Sequence, residues 1–217
     1  MNREIYISEQ AFLAVIFAAA EVYRRESYGL LFGYALPAKV IVEGALPYQT
    51  AERRFSEVSL FERQNKVIQS LIARFPKHEY LGEFHSHADF RGREAQAALT
   101  PEDLDSMTPG EIAIVVAVNP RLRMVPWSTT SDGALSGTLG PWRFRIAGFA
   151  LAPTPLSPPH RGGMPSPPVR RSVARRPPLG RPPFNPQSAI RNPQSARPRI
   201  LRARVSCPYA VGLLRNA

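Results

Sequence analysis

The sequence predicts an α/β fold in which helices cover both faces of a mixed β-sheet. Apolar periodicity alternates between strand and helix spacing in the order β-α-β-β-α-β-α-β-β over about the first 150 residues. The composition then changes abruptly and no periodic segment of useful length follows until the last few residues. These two observations predict one folded domain and a separate C-terminal segment.

The charge distribution places the boundary between the two parts. All 17 acidic residues lie in positions 1–150, with 16 of the 28 Lys and Arg residues. Positions 151–217 hold the other 12 basic residues and 15 of the 23 prolines. Such a segment buries too little apolar area to offset its ordering entropy. We therefore expect a domain at 1–152 and a disordered basic, proline-rich tail at 153–217. A repeat of Asn-Pro-Gln-Ser-Ala, beginning at Asn185 and Asn192, raises the alternative that the tail is not native coding sequence.

The first elements are a strand at 4–7 and a long amphipathic helix. Ser8 has the side chain of an N-cap, and the helix should run to about Arg25. Apolar residues at helical spacing form its predicted buried face: Phe12, Val15, Ile16, Ala19 and Val22.

A hairpin and a second helix should follow. Residues 28–36 and 39–46 read as two apolar strands, joined by a proline-containing turn. A second helix should begin at Ser56 or Ser59 and end at Pro76. Its inward-facing residues are predicted to be Val67, Ile68, Leu71 and Ile72.

Residues 80–84 read as a strand that leads directly into His85 and His87. Side chains alternate along a strand, so both imidazoles should project from one face and could bind the same metal ion. Asp103 follows sixteen residues after His87. Two histidines and a carboxylate from a second element form the ligand set of a catalytic zinc that leaves one position for water.

The carboxylate lies at the start of a predicted third helix. Residues 88–99 form a polar loop, Thr100 is suited to the N-cap and Pro101 to the first helical position. Further strands are predicted at 112–118, 123–128 and 142–149.

These motifs resemble the JAMM (MPN+) metalloprotease family, and the resemblance covers about residues 1–150. His85-Ser86-His87 and Thr100-x-x-Asp103 match its His-x-His and Ser-x-x-Asp signatures. The segment Glu26 to Gly33 is similar to its Glu-x-x-Gly-Leu-Leu-x-Gly strand. The resemblance implies the MPN (cytidine-deaminase-like) fold, Zn²⁺ held by His85, His87 and Asp103, Glu26 as general base and Thr100 as an oxyanion donor.

The chain departs from the family pattern in three places. The loop 88–99 is five residues longer than usual, and at the usual spacing Ala95 and Ala98 would occupy the hydroxyl and ligand positions. Ala88 stands where proline is common, and Glu83 where an aromatic residue is common. Several acids are alternatives for the predicted roles: Asp89, Glu102 and Asp105 for the third ligand, and Glu21 for the base.

The family resemblance implies hydrolysis of an amide or isopeptide bond in a protein or peptide, for instance at the C-terminus of a ubiquitin-like protein. Cys207 is the single cysteine and lies in the tail, so an intramolecular disulfide is excluded and the protein is expected to be cytoplasmic. Two other function classes are an inactive MPN-type scaffold and a nucleic-acid-binding protein. The basic tail would bind nucleic acid only non-specifically, since it has few aromatic residues.

Overall fold

The structure is a computed structural model that describes residues 4–48, 52–53, 58–59, 66–68, 70–71, 74, 78–89, 92–151 and 200–213. The helices whose two ends both lie among these residues are α1 (Glu9–Glu21), α2 (Pro101–Ser106) and α3 (Pro208–Gly212). The strands are β1 (Glu4–Ile7), β2 (Tyr28–Ala35), β3 (Lys39–Pro47), β4 (Glu52–Arg53), β5 (Val58–Ser59), β6 (Glu79–Ala88), β7 (Ile112–Pro120), β8 (Ser128–Thr129), β9 (Leu135–Leu139), β10 (Trp142–Leu151) and β11 (Ile200–Ser206).

Seven strands form a closed barrel in the order β11-β1-β3-β2-β6-β7-β10, and β10 pairs with β11 to complete it. Strands β9 and β8 extend the sheet beyond β10. Three pairings are parallel, namely β1 with β11, β1 with β3, and β6 with β7. Closure satisfies the backbone groups that edge strands would otherwise expose.

The predicted fold class was wrong. The sequence favoured an MPN-type α/β sheet sandwiched by helices, whereas strands predominate and close into a barrel with few helices. The sheet closes because β11 joins its two edges. This strand pairs in parallel with β1 and in antiparallel fashion with β10. The predicted helix between Ser56 and Pro76 lies largely outside the described residues; 66–68 and 70–71 are helical. Val67 and Leu71 were expected to face inward, yet they are 53% and 54% exposed.

The predicted tail also needs correction. Residues 200–213, assigned to a disordered tail, form β11 and α3. Ala203, Val205, Cys207 and Ala210 are all buried in the main core. The C-terminal part of the chain is thus a structural component of the barrel.

Other elements follow the predicted pattern with small changes. The strands predicted at 4–7, 28–36, 39–46, 112–118 and 142–149 are present within a few residues of those limits. Ser8 caps α1 by accepting from the Ala11 amide at 3.2 Å. The helix ends at Glu21, short of the predicted Arg25. The strand predicted at 123–128 is absent apart from Ser128, while β9 was not predicted.

Strand β7 is buried along eight of its nine residues because both faces of the sheet are covered there. One face packs in the main core beside α1, with Phe12, Ile16, Phe84, Ile114 and Val116. The opposite face packs under the loop before α2, with Ala95, Ala97, Val115, Ala117 and Ala147. No helix in the described part of the chain is long and apolar enough to cross a membrane.

Candidate metal centre

The two histidines lie on β6, which is held between β2 and β7 near the middle of the barrel sheet. His85 is paired in register with Tyr28 on β2 and with Val115 on β7. His87 is paired with Ala117, so both imidazoles lie on the face covered by the loop before α2. Their ring centroids are 5.0 Å apart, and His85 is only 6% exposed. Strand alternation thus places the pair as the sequence predicted.

Asp103 is brought to the histidines by the first turn of α2. Thr100 is the N-cap, its hydroxyl accepts from the Asp103 amide at 3.2 Å, and its own amide donates to Asp103 Oδ2 at 2.7 Å. This capping box fixes the carboxylate, whose Oδ2 lies 3.4 Å from His85 Nε2. One ligand atom from each of His85, His87 and Asp103 lies within 4.8 Å of the others.

The donor set fits a zinc ion. His85 Nε2 is fully buried, lies 3.4 Å from Asp103 Oδ2 and forms no hydrogen bond within the described part of the chain, which is costly for a polar atom unless something else binds it. His87 Nδ1 lies 2.9 Å from the Gln96 carbonyl oxygen. That contact favours the tautomer with the proton on Nδ1 and leaves Nε2 as a metal donor, the usual arrangement for a metal-binding histidine. Two nitrogens and one carboxylate oxygen match a catalytic zinc site.

The electrostatics of the cluster favour the protonation states that bind metal. Burial alone would raise the pKa of Asp103, but contact with His85 and the two bonds from Thr100 outweigh it and hold that pKa well below its usual range. Burial lowers the pKa of His87, against the opposing effect of the Gln96 carbonyl. A charged carboxylate and a neutral imidazole are the forms that coordinate a cation.

The long loop before α2 is anchored by Asn119, at the end of β7. The Asn119 side chain accepts from the Ala95 amide at 2.8 Å and donates to the Ala95 carbonyl at 3.1 Å. Ala95 and Ala97 are buried, so Gln96 between them presents its carbonyl to His87. Ala95 is therefore a buried residue of the loop, and Thr100, the residue predicted for the hydroxyl role, is the N-cap of α2. Asn119 was missed in the sequence, although a polar residue ending an apolar strand was an available signal.

The alternative ligands lie elsewhere. Asp89 Oδ1 accepts from the Tyr23 hydroxyl at 2.6 Å, beyond the C-terminal end of α1. Burial, reinforced by Asp89, raises the pKa of Tyr23 to about 12, so the phenol keeps its proton. Glu102 and Asp105 are exposed on α2. None of these three acids joins the cluster formed among the described residues.

Glu26 lies two residues before β2, the strand that pairs with the histidine strand β6. Tyr28 is the register partner of His85, and the Ser86 amide donates to the Ser27 carbonyl at 2.9 Å. Continuing that antiparallel register brings Glu26 opposite His87 and on its face. Glu26 is half-buried, whereas Glu21 is exposed at the end of α1. The register thus favours Glu26, rather than Glu21, as the acid beside β6.

Glu83, which the sequence placed at a position where an aromatic residue is common, and the arginines of the loop 88–99 are further charged residues near the histidines in the sequence. Glu83 accepts a hydrogen bond from the Tyr28 hydroxyl, so its carboxylate is engaged on β2. Burial, reinforced by Glu83, raises the pKa of Tyr28 far above its usual value. Arg93 is exposed, and Arg91 lies outside the described residues.

Comparisons with known proteins give little further information. No protein-family model matches the chain, and no curated protein matches it. Among solved structures the chain is similar to the solution structure of protein DSY2949 from Desulfitobacterium hafniense, with 19% identity and a TM-score of 0.43. That match covers 52% of this chain and 73% of the other. The family resemblance drawn from the motifs stays a prediction.

Proposed function

We propose that the protein is a zinc-dependent hydrolase of amide or isopeptide bonds, with His85, His87 and Asp103 as metal ligands. The observation that carries the proposal is the convergence of three ligand atoms within 4.8 Å, one of them a buried His85 Nε2 that forms no hydrogen bond with any residue the structure describes. A structural histidine in a sheet normally satisfies its ring nitrogens. The pair of histidines, the oriented carboxylate and the carbonyl behind His87 together support a metal site.

Bound zinc would act as a Lewis acid that polarises a carbonyl and makes water more acidic. The residues around the cluster supply the remaining functions. The Glu26 carboxylate would accept a proton from the attacking water and deliver it to the leaving amine nitrogen. The Thr100 hydroxyl, which accepts from the Asp103 amide, would donate to the developing oxyanion.

The substrate class rests on the motif resemblance. Glu26, the His-x-His pair and Thr100-x-x-Asp103 together support a protein or peptide substrate, such as the C-terminal tail of a ubiquitin-like protein. A cytoplasmic site of action stays part of the proposal, since the sequence has only Cys207 and no disulfide can form within the chain.

Metal analysis of the full-length chain tests the proposal. The wild type should bind about one zinc ion per chain, since the cluster holds one set of three ligand atoms. His87→Ala and Asp103→Ala should each lose tight zinc binding while keeping the far-UV circular dichroism of the barrel. Asp89→Ala is the matched control, since Asp89 contacts Tyr23, and it should keep its zinc. Zinc retention in Asp103→Ala with loss in Asp89→Ala would overturn the ligand assignment.

Hydrolysis should be measured on the same proteins, with peptide and isopeptide substrates. Activity that follows zinc content across the variants would support the enzyme. A wild type that binds no zinc and cleaves nothing would favour the scaffold alternative, in which the cluster has only a structural role.

A further inference from the structure

Ser86, between the two histidines, makes an unusual set of contacts on the other side of β6. Its hydroxyl oxygen lies 2.8 Å from the Ser27 amide nitrogen and 2.9 Å from the Ser27 hydroxyl, and accepts from both. The Ser86 amide donates to the Ser27 carbonyl at 2.9 Å. Both serines are 1% exposed, so water cannot replace these bonds.

The contacts extend the pairing of β2 and β6 beyond the regular ladder. Regular register begins with Tyr28 and His85. In an antiparallel ladder, a hydrogen-bonded residue pair exchanges two backbone bonds. Between Ser27 and Ser86 only one is made by the backbone, because the Ser27 amide donates to the Ser86 side chain instead. The hydroxyl thus replaces a backbone acceptor at the point where the chain leaves the strand.

We propose that Ser86 is a positioning residue that holds Glu26 beside the metal cluster. This inference rests on the proposed function, because it assigns Ser86 a role through the proposed general base. Glu26 directly precedes Ser27, and the register that continues from Tyr28 and His85 places it opposite His87 only while the Ser27 backbone stays paired with β6. Strand alternation turns Ser86 away from the face that carries the imidazoles, so it acts without contacting the cluster.

Loss of the hydroxyl should release Glu26 and leave the ligands in place. In Ser86→Ala the Ser27 amide stays buried but loses the Ser86 hydroxyl as its acceptor. Buried amides without an acceptor are rare in proteins. The local pairing should open more often, so the Ser27 amide should exchange with solvent at least about tenfold faster. His85 and His87 stay on the regular part of β6, so zinc content should not change.

The experiment uses full-length wild type, Ser86→Ala and the matched control Ser136→Ala, in which a β9 serine that donates to the Phe144 carbonyl is removed. Amide hydrogen exchange at Ser27 is followed first in metal-free protein. Zinc content and the separate kcat and KM values are then measured. Ser86→Ala should lower kcat by about 10- to 100-fold, a partial loss of the roughly 10²–10⁴-fold that a general base contributes, with little change in KM. Ser136→Ala should match the wild type in all four readouts.

A double-mutant cycle separates positioning from a general structural effect. If Ser86 acts only through Glu26, Ser86→Ala should have no further effect on kcat in a Glu26→Gln background. Equal losses in both backgrounds would overturn the proposal, as would an unchanged Ser27 exchange rate in Ser86→Ala. A wild type without hydrolase activity would overturn the proposed function and the catalytic part of this inference. The exchange measurement would still decide whether Ser86 holds Ser27.

Discussion

Thr100 and Asp103 hold each other in a reciprocal pair of hydrogen bonds at the start of α2. The Thr100 amide donates to Asp103 Oδ2 at 2.7 Å, and the Asp103 amide donates to the Thr100 hydroxyl at 3.2 Å. Helix capping and orientation of the candidate ligand are therefore one interaction. The same carboxylate oxygen lies 3.4 Å from His85 Nε2, so a weaker cap should also displace this oxygen from the metal cluster.

Substitutions of Thr100 should separate its capping role from its proposed oxyanion role. Thr100→Ala removes the cap, which typically costs about 1 kcal/mol, and should weaken zinc binding by freeing Asp103. Thr100→Ser keeps a hydroxyl at the N-cap and should preserve both zinc affinity and kcat. Thr100→Asn should restore the cap and zinc binding but lower kcat if the hydroxyl also donates to the oxyanion. Zinc titration and steady-state kinetics measure the two effects, and full activity in Thr100→Asn would show that catalysis does not need the hydroxyl itself.

Glu26→Gln should separate proton transfer from metal binding. The amide has nearly the same size but cannot serve as a general base, so hydrolysis should fall by about 10²–10⁴-fold. Zinc content should stay at the wild-type level, because the three ligand atoms come from other residues. Loss of zinc would instead make Glu26 a ligand. Retained activity would assign the base to another acid, and Glu83→Gln would then be the next variant to measure.

Asn119 should prove essential for the loop that supports His87. Its side chain forms two hydrogen bonds with the Ala95 backbone, and it is only 4% exposed. Asn119→Ala leaves two backbone groups unpaired and should destabilise the protein by about 2–4 kcal/mol. Asn119→Asp keeps the acceptor but buries a carboxylate against the Ala95 carbonyl, so at neutral pH it should destabilise the protein at least as much as Asn119→Ala. Chemical denaturation measures stability, and a zinc affinity that falls in the same order would tie the loop to His87.

The buried thiol of Cys207 reports on the packing of β11 and α3. Cys207 is 1% exposed, and burial raises its pKa despite opposing bonds from nearby amides. At neutral pH the native protein should therefore react slowly with thiol reagents, since only the exposed thiolate is nucleophilic. Unfolding should increase the rate to that of a free cysteine. Fast labelling of the folded protein would show that this segment detaches from the core.

The sequence predicted which three side chains come together better than it predicted the fold, because the clustering depends on local structure and barrel closure on distant strands. Strand alternation places His85 and His87 together, and a helix cap places Asp103, so local rules were sufficient. The contact of Asn119 with Ala95 spans 24 residues and depends on how β7 lies beside the loop. Barrel closure depends on β11, beyond a long proline-rich stretch. Its alternation of Arg202 and Arg204 with buried Ala203 and Val205 was a strand signal that the basic composition obscured.

Removal of β11 should open the barrel, whereas removal of the chain that leads to it should not. Leu151, the last residue of β10, is the antiparallel register partner of Ile200, the first residue of β11. Adjacent antiparallel strands in that register can be joined by a two-residue turn, and Asn-Gly favours the type I′ geometry that such a hairpin needs. Replacing residues 152–199 with Asn-Gly should therefore keep the barrel, the zinc content and the thermal midpoint.

Truncation after Thr154 is the opposing variant. It exposes the backbone edges of β1 and β10 and uncovers apolar residues that pack against Ala203 and Val205. Exposed edge strands favour aggregation, so this protein should be poorly soluble or melt at least about 10 °C lower. Differential scanning calorimetry and zinc analysis of both variants measure the contrast. A truncated chain as stable as the full-length protein would show that β11 contributes nothing to the fold, and a failure of the Asn-Gly variant to fold would assign a structural role to residues 152–199.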